Sequence, residues 1–548
     1  MSQASDDLTE SIRPRDSNGV TRETLDEDVD IERISRSLAS EEELEYEERY
    51  ETTKVIYIEP PERNKLFTRP YALNYYCDNI LYRTKDGNSA SALELFLDLL
   101  YVGIVSSLAA QTTLECTGLT LLKYVLFFVP VWVVWVDLKD FMNYYFNDDM
   151  TQRTYVLWIM LLLVIYVNNC VYILQSHGET AMVVVPYMMC RYSVAVTYIF
   201  YSFFVPQHRI QIRIYSALIL VVTCAWISVI FVSTRAKVGL TIGIMFLEQV
   251  SYVIAFHPIT KKLLKLKFST ALNVEREVSR FGAFYTIAIG EFLYNIVTSA
   301  YTGPGIHEKL WKALLTLIIA YIFMFVYFDG TGDIVHLPAL TRSVHSAYIW
   351  IFIHVPLIGS LVLVAYASSN LISLDEITLS KGGYIDKMSL YGLSFFFSGG
   401  TCITLVSLGI IAMSDKTLED VDSKYLSKII RVFPRFPIAI AILCLSFAEL
   451  KPAMLIGLTT LMLSFIFIYE RIILGYGHLI KANNKKNLSI SSSTPLSEIK
   501  HRITEILRSL SFEKNRSNVT TASSLPNCED DTTKVGTENS QNFNFATV

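Results

Sequence analysis

Two carboxylates four residues apart, Glu94 and Asp98, stand in the run Ala92 to Gln111, which is otherwise apolar enough to cross a bilayer. That spacing sets both on one helical face, where they can take a proton, hold a cation or answer a buried base. Arg191, Glu248 and Glu291 fall near the middles of three other apolar runs, His354 lies about a third of the way into a fourth, and Asn295 follows Glu291 at i+4. A charge at the centre of a membrane helix costs about 2.5–3.5 kcal/mol, so these groups should turn inward and find partners or water. Arg191 is the permanent cation among them, and its candidate partners are Asp98, Glu248 and Glu291. Two readings stay open: ion pairs that fix helix packing, or a polar cavity in which a carboxylate changes protonation or binds a cation.

The elements that must position these groups follow from composition. The chain has 548 residues, 52% of them hydrophobic and 18% charged, with a mean hydropathy of +0.36. Its apolar residues gather into bilayer-length runs, so the expected fold is all-α: a polytopic helical membrane protein of about twelve transmembrane helices, with a range of ten to twelve. Six spans are expected over 92–257 and six over 282–474, separated by a basic loop at 258–281. The eleventh, at 435–450, is short, and Lys451-Pro452 makes it either a separate span or half of a hairpin.

Residues 1–60 are acidic and poor in aromatics, which predicts a disordered tail, followed by a juxtamembrane segment at 61–91. A second tail, 475–548, is rich in Ser and Thr apart from a short amphipathic stretch at Leu496 to Leu510. Five basic residues precede the first span (Arg63, Lys65, Arg69, Arg83, Lys85) and six lie between spans six and seven, whereas the loops after spans one and three carry none. Both termini are therefore expected in the cytosol, with Arg235, Lys237, Lys309 and Lys312 in loops on the opposite side. The sequons at Asn487, Asn515 and Asn518 would then never meet the transferase.

An internal echo suggests two parallel six-helix repeats. Phe141 to Asp148 and Phe323 to Gly330 agree at four of eight positions and lie six spans apart. Aromatic-belt residues recurring at inner helix ends would give the same pattern.

Spacing refines the candidate site. Gly290-Glu291 with Tyr294 and Asn295, and Glu248 with Ser251 and Tyr252, form polar stripes expected to face inward, the first beside a close backbone approach at Gly290. Asp137, Asp140, Asp148, Asp149 and Asp329 are less informative, because acids at inner helix ends can reach headgroups or solvent. Lys261, Lys262, Lys265 and Lys267, immediately inside span six, would suit anionic lipid headgroups, although topology alone also explains them.

No metal site or cofactor is expected. The cysteines include no C-x-x-C pair, and Cys116 and Cys170 both fall near the outer face, where they could pair. Asp329 to Asp333 with His336 reads as a turn rather than a cation loop. P-loop, G-x-S-x-G and H-E-x-x-H signatures are absent, so nucleotide-driven transport, hydrolase and zincin classes lack support, and no nucleic-acid partner is expected.

The ordered motifs resemble those of the bacterial low temperature requirement A proteins and their fungal relatives. Glu94-Leu95-Phe96-Leu97-Asp98-Leu99 is similar to the first-span signature. Asn143 with Asp148, Asp149 and Arg153 resembles the stretch after span two, and Arg191 sits where the family has an arginine. Arg280 through Glu291, then Tyr327-Phe328-Asp329, Trp350, His354 and Pro356, resemble its later blocks. Ser279 stands where an acid would be expected and Arg276 where a histidine would, which puts those two positions in doubt. The resemblance covers about residues 91–475 and implies fold and site position rather than a substrate.

The leading functional expectation is a secondary transporter or channel-like protein moving a small ion or solute. Its pathway would be lined by Glu94, Asp98, Arg191, Glu248 and Glu291, with protons as a candidate coupling ion. The alternatives are a non-transporting membrane protein in bilayer or low-temperature adaptation, with structural ion pairs, and an intramembrane lipid-acting enzyme using the carboxylates and His354. Substrate, oligomeric state and organelle are left open.

Overall fold

The structure is a computed structural model. It describes residues 55–60, 64–77, 80–84, 91–173, 176–300, 305–328, 336–337, 344–374, 387–414, 416–417 and 428–491. Asp329, the turn to Asp333, nearly all of the acidic tail and the stretch from Leu496 to Leu510 lie outside them.

Among the described residues, twelve helices are long and apolar enough to cross a membrane. The first six are α1 Ala92–Glu115, α2 Gly118–Tyr145, α3 Met150–Asn169, α4 His177–Phe204, α5 Arg209–Phe231 and α6 Thr234–Phe256. The second six are α7 Val274–Ala300, α8 Glu308–Phe328, α9 Val344–Ser373, α10 Lys387–Ser414, α11 Arg435–Leu445, which with the turns flanking it makes the span Ile429–Ala448, and α12 Pro452–Ser491. Outward faces carry large exposed apolar side chains, such as Leu157 and Leu161 on α3, Val221 on α5, Phe246 on α6 and Phe465 on α12. Water would penalise such a surface and hydrocarbon does not, so this is an integral multi-pass membrane protein.

Short polar signals set the helix ends. Ser91 Oγ accepts from Glu94 N while Glu94 Oε2 accepts from Ser91 N, a capping box that starts α1. Asp149 caps α3 through Gln152 N at 2.8 Å. The seventh span begins at Val274, eight residues before the expected 282, because the Asn273 side chain accepts from Arg276 N (3.2 Å) and Glu275 and Glu277 favour the positive end of the helix. The Lys451-Pro452 ambiguity resolves into two helices: the chain turns through Glu449, at φ 46°, and Pro452 opens α12.

α9 is the most enclosed helix. It meets α10 so closely that a Cβ on Gly400 would come within 2.5 Å of Val364. On Gly392 a Cβ would run into the Cys116 carbonyl. Gly290 has no such neighbour, and the close approach expected there does not occur. Cys116 and Cys170 are buried and free rather than paired.

A small sheet adjoins one end of the bundle. Its order is β1-β3-β2-β4, with β1 Val55–Ile58, β2 Asn74–Cys77, β3 Ile80–Thr84 and β4 Phe268–Thr270. Tyr75 of β2 pairs with Tyr82 on one side and Thr270 on the other, which joins the segment before α1 to the one between α6 and α7. That junction places the start of α7 beside the start of α1 and the end of α2, where most of the charged residues meet.

Candidate functional site

Three linked groups of buried ionisable side chains occupy the space between α1, α2, α4, α6 and α7. The first joins α1 to α7. Arg280 Nη2 donates to Asp98 Oδ1 at 2.9 Å, Trp135 Nε1 of α2 donates to the same oxygen at 2.8 Å, and Arg276 Nη2 donates to Glu94 Oε1 at 2.9 Å. Arg280 Nη1 lies 3.6 Å from Glu94. Both carboxylates are buried, and Glu94 serves at once as helix cap and ion-pair partner. Trp135 packs against Phe281 and Phe284 at ring separations of 5.3 and 4.7 Å, which keeps this group in an apolar surround.

The second group sits one turn away. Lys139 of α2 donates to Asp140 (2.7 Å) and to Glu277 of α7. Asn143 donates to Glu277 Oε2 at 3.3 Å, and Tyr252 of α6 donates to Asp140 Oδ2 at 3.0 Å. Asn143 also receives the Asn273 N–H and donates to the Asn273 carbonyl, which fixes the entry to α7.

The third group centres on Arg191, whose partners are Asp137 of α2 and Glu248 of α6, the latter 3.6 Å from Nε. Of its three expected partners only Glu248 is right, because Asp98 is taken by Arg280 and Glu291 lies elsewhere. Tyr215 donates to Asp137 at 2.5 Å, while Tyr187 and Trp226 donate to Glu248 at 2.8 and 3.1 Å. Asp137 and Asp140, set aside as helix-end acids, are each 2% exposed. α2 runs on to Tyr145, so neither side chain reaches its end.

Other expected residues sort differently. Glu291 is half-buried and bonded to Asn295 and to Tyr366 of α9, while Tyr294 points outward, so that stripe only partly faces the interior. His354 is a core histidine. Its Nδ1 sits 2.6 Å from the Trp350 carbonyl, so that nitrogen carries the proton and Nε2 accepts from Tyr327 at 3.1 Å. Asp149 holds Thr68 N as well as its own helix, and Asp148 pairs with Arg153 at the exposed surface. Lys237 and Lys312, assigned to loops, are buried: Lys237 donates to Thr180 (2.6 Å) and Lys312 to the Leu371 and Leu374 carbonyls. Lys262 and Lys265 are exposed beside exposed Ile259, Leu263 and Leu264, whereas Lys261 and Lys267 lie over the rings of Tyr76 and Phe268.

Residue for residue, Glu94, Asp98, Asn143, Arg191 and Arg280 occupy one connected interior, in the order that the sequence motifs run. The family model described as bacterial low temperature requirement A protein (LtrA) matches residues 89–468. The chain belongs to that family. A search of curated proteins found no match. Within the LtrA match, Arg276 stands where the resemblance led to a histidine, and it neutralises Glu94. Glu277 and Lys139 were missed. Glu277 falls in a stretch read as loop, and Lys139 stands just past the end of the second apolar run.

His208, also missed, clamps the sheet to the bundle of this LtrA protein. It lies between α4 and α5, with Nε2 3.0 Å from the Asn74 carbonyl and Nδ1 2.9 Å from Tyr145 Oη. Burial pushes it down to about 4, so it holds its place as a neutral ring.

Proposed function

We propose that this LtrA-family protein is a secondary transporter or channel-like protein for a small ion or solute, with protons as the coupling ion. Its pathway is assigned to Glu94, Asp98, Arg191 and Glu248, together with Arg280, Glu277 and Asp137. One observation carries the reading: Asp98 Oδ2, Arg280 Nε and the Tyr101 hydroxyl are buried without a protein partner. A set of ion pairs kept only for packing would be expected to satisfy such atoms, since nearly all buried polar groups are hydrogen-bonded. Polar atoms left open beside paired charges fit a place where water or solute passes.

The cytosolic placement of both termini is part of the same reading, as is contact of Lys262 and Lys265 with anionic headgroups. The exposed apolar residues around these lysines support that contact. The deciding experiment is reconstitution into liposomes with an imposed pH gradient and an internal pH dye. Protein-dependent proton movement is expected, and Asp98→Asn should abolish it in a protein that still inserts. Absence of flux from well-inserted protein would remove the transport reading.

A further inference from the structure

The three buried groups differ in charge balance. Around Asp98 two carboxylates meet two guanidinium groups, Glu94 and Asp98 against Arg276 and Arg280, and the sum is zero. Around Lys139 one ammonium faces two carboxylates, Asp140 and Glu277. Around Arg191 one guanidinium faces two again, Asp137 and Glu248. Six acids thus meet four bases, leaving two acids unmatched, and none of the four unbalanced carboxylates is more than 2% exposed.

Among the described residues, no further cation pairs with either unbalanced group. The nearest guanidinium groups on α7, Arg276 and Arg280, are already matched. His354 of α9, within electrostatic range of Lys139, uses both ring nitrogens as a neutral imidazole. The remaining donors, Tyr252 and Asn143 on one side and Tyr187, Tyr215 and Trp226 on the other, are uncharged. The phenols of Tyr166 and Tyr198, also within electrostatic range, add no positive charge. A buried carboxylate without a countercharge takes a proton rather than keep its charge away from water.

A second observation points to the same ligand. The Tyr348 hydroxyl is buried without a partner and lies within electrostatic range of Asp140. Tyr348 stands near the start of α9 with its ring stacked on half-buried His257, at 6.2 Å and 3°. Exposed His345 neighbours His257, so two imidazoles stand between the surface and Tyr348.

We infer that the interior holds two protons on its carboxylates, one shared by Asp140 and Glu277 and one shared by Asp137 and Glu248. This deepens the transport reading by seating the coupling ion, and rests on it only for the claim that these protons move. Infrared spectroscopy of the purified full-length protein at neutral pH tests it through the carbonyl band of protonated carboxylic acids. The wild-type protein should show the band, Glu277→Gln and Glu248→Gln should each lower it by about half, and the double variant should lack it. Asp140→Asn offers a second route to the first site should Glu277→Gln fail to fold. A wild-type spectrum without the band, or a band unchanged in folded variants, would overturn the assignment. A band present without proton flux in liposomes would sustain the two protons and remove only transport.

Discussion

Among the described residues, Arg435 and Glu470 make a self-contained buried ion pair, and Lys139 with Asp140 and Glu277 does not. Arg435 of α11 holds both oxygens of Glu470 of α12, at 2.6 and 2.7 Å, and gives a third bond to the Leu408 carbonyl at 3.0 Å. One charge meets one charge, and two consecutive spans are locked together. Lys139 instead divides itself between two acids on different helices. The contrast teaches that burial alone does not mark a functional charge. A one-to-one pair is electrically balanced, whereas an unmatched buried acid must still take something up.

The largest effect expected from this contrast is on the matched pair. Glu470→Gln should cost about 3–5 kcal/mol by leaving a buried guanidinium uncompensated, read as lost thermal stability in detergent. Arg435→Met combined with Glu470→Leu should return most of that loss. If the single change were harmless, the pair could not serve as the structural reference.

His208 supplies a third kind of buried titratable group, one that is neutral. Its folded pKa of about 4 lies below the ordinary value of 6.5, so the unfolded chain binds the proton first and stability falls as pH drops through that window. The loss should amount to roughly 3 kcal/mol between about pH 6.5 and 4. His208→Gln should flatten that part of the profile. An unchanged acid limb in the variant would assign it to the carboxylates instead.

The smallest effect is the most pointed. Glu277→Gln removes an acid that already shares a proton and keeps an acceptor for Lys139, so its stability cost should stay within about 1 kcal/mol. A loss as large as that of Glu470→Gln, in the same melting assay, would erase the distinction between the two regions.

Glu94, Asp98, Arg191 and Glu248 were legible from the sequence because a charge inside an apolar run has few bland explanations. Asp137, Lys139 and Asp140 were not, since hydropathy cannot tell a helix end that reaches headgroups from one overlaid by a neighbouring helix. Glu277 and Arg276 were hidden by a boundary drawn where hydropathy falls. The helix starts earlier, at a polar turn stabilised by Asn273 and Asn143. Glu291 bonds instead to Asn295 on its own helix and to Tyr366 of α9.

By itself the sequence determined the helical class, the twelve spans and the motif order that marks the LtrA family, because hydropathy and capping are local properties of a chain. Only the tertiary structure decided which charge meets which. Asp98 and Arg280 lie 182 positions apart, and Arg191 had three acids to choose from. Pairing depends on where helices distant in sequence come to pack, and with it the balance of charge that separates a finished ion pair from a place that can hold a proton.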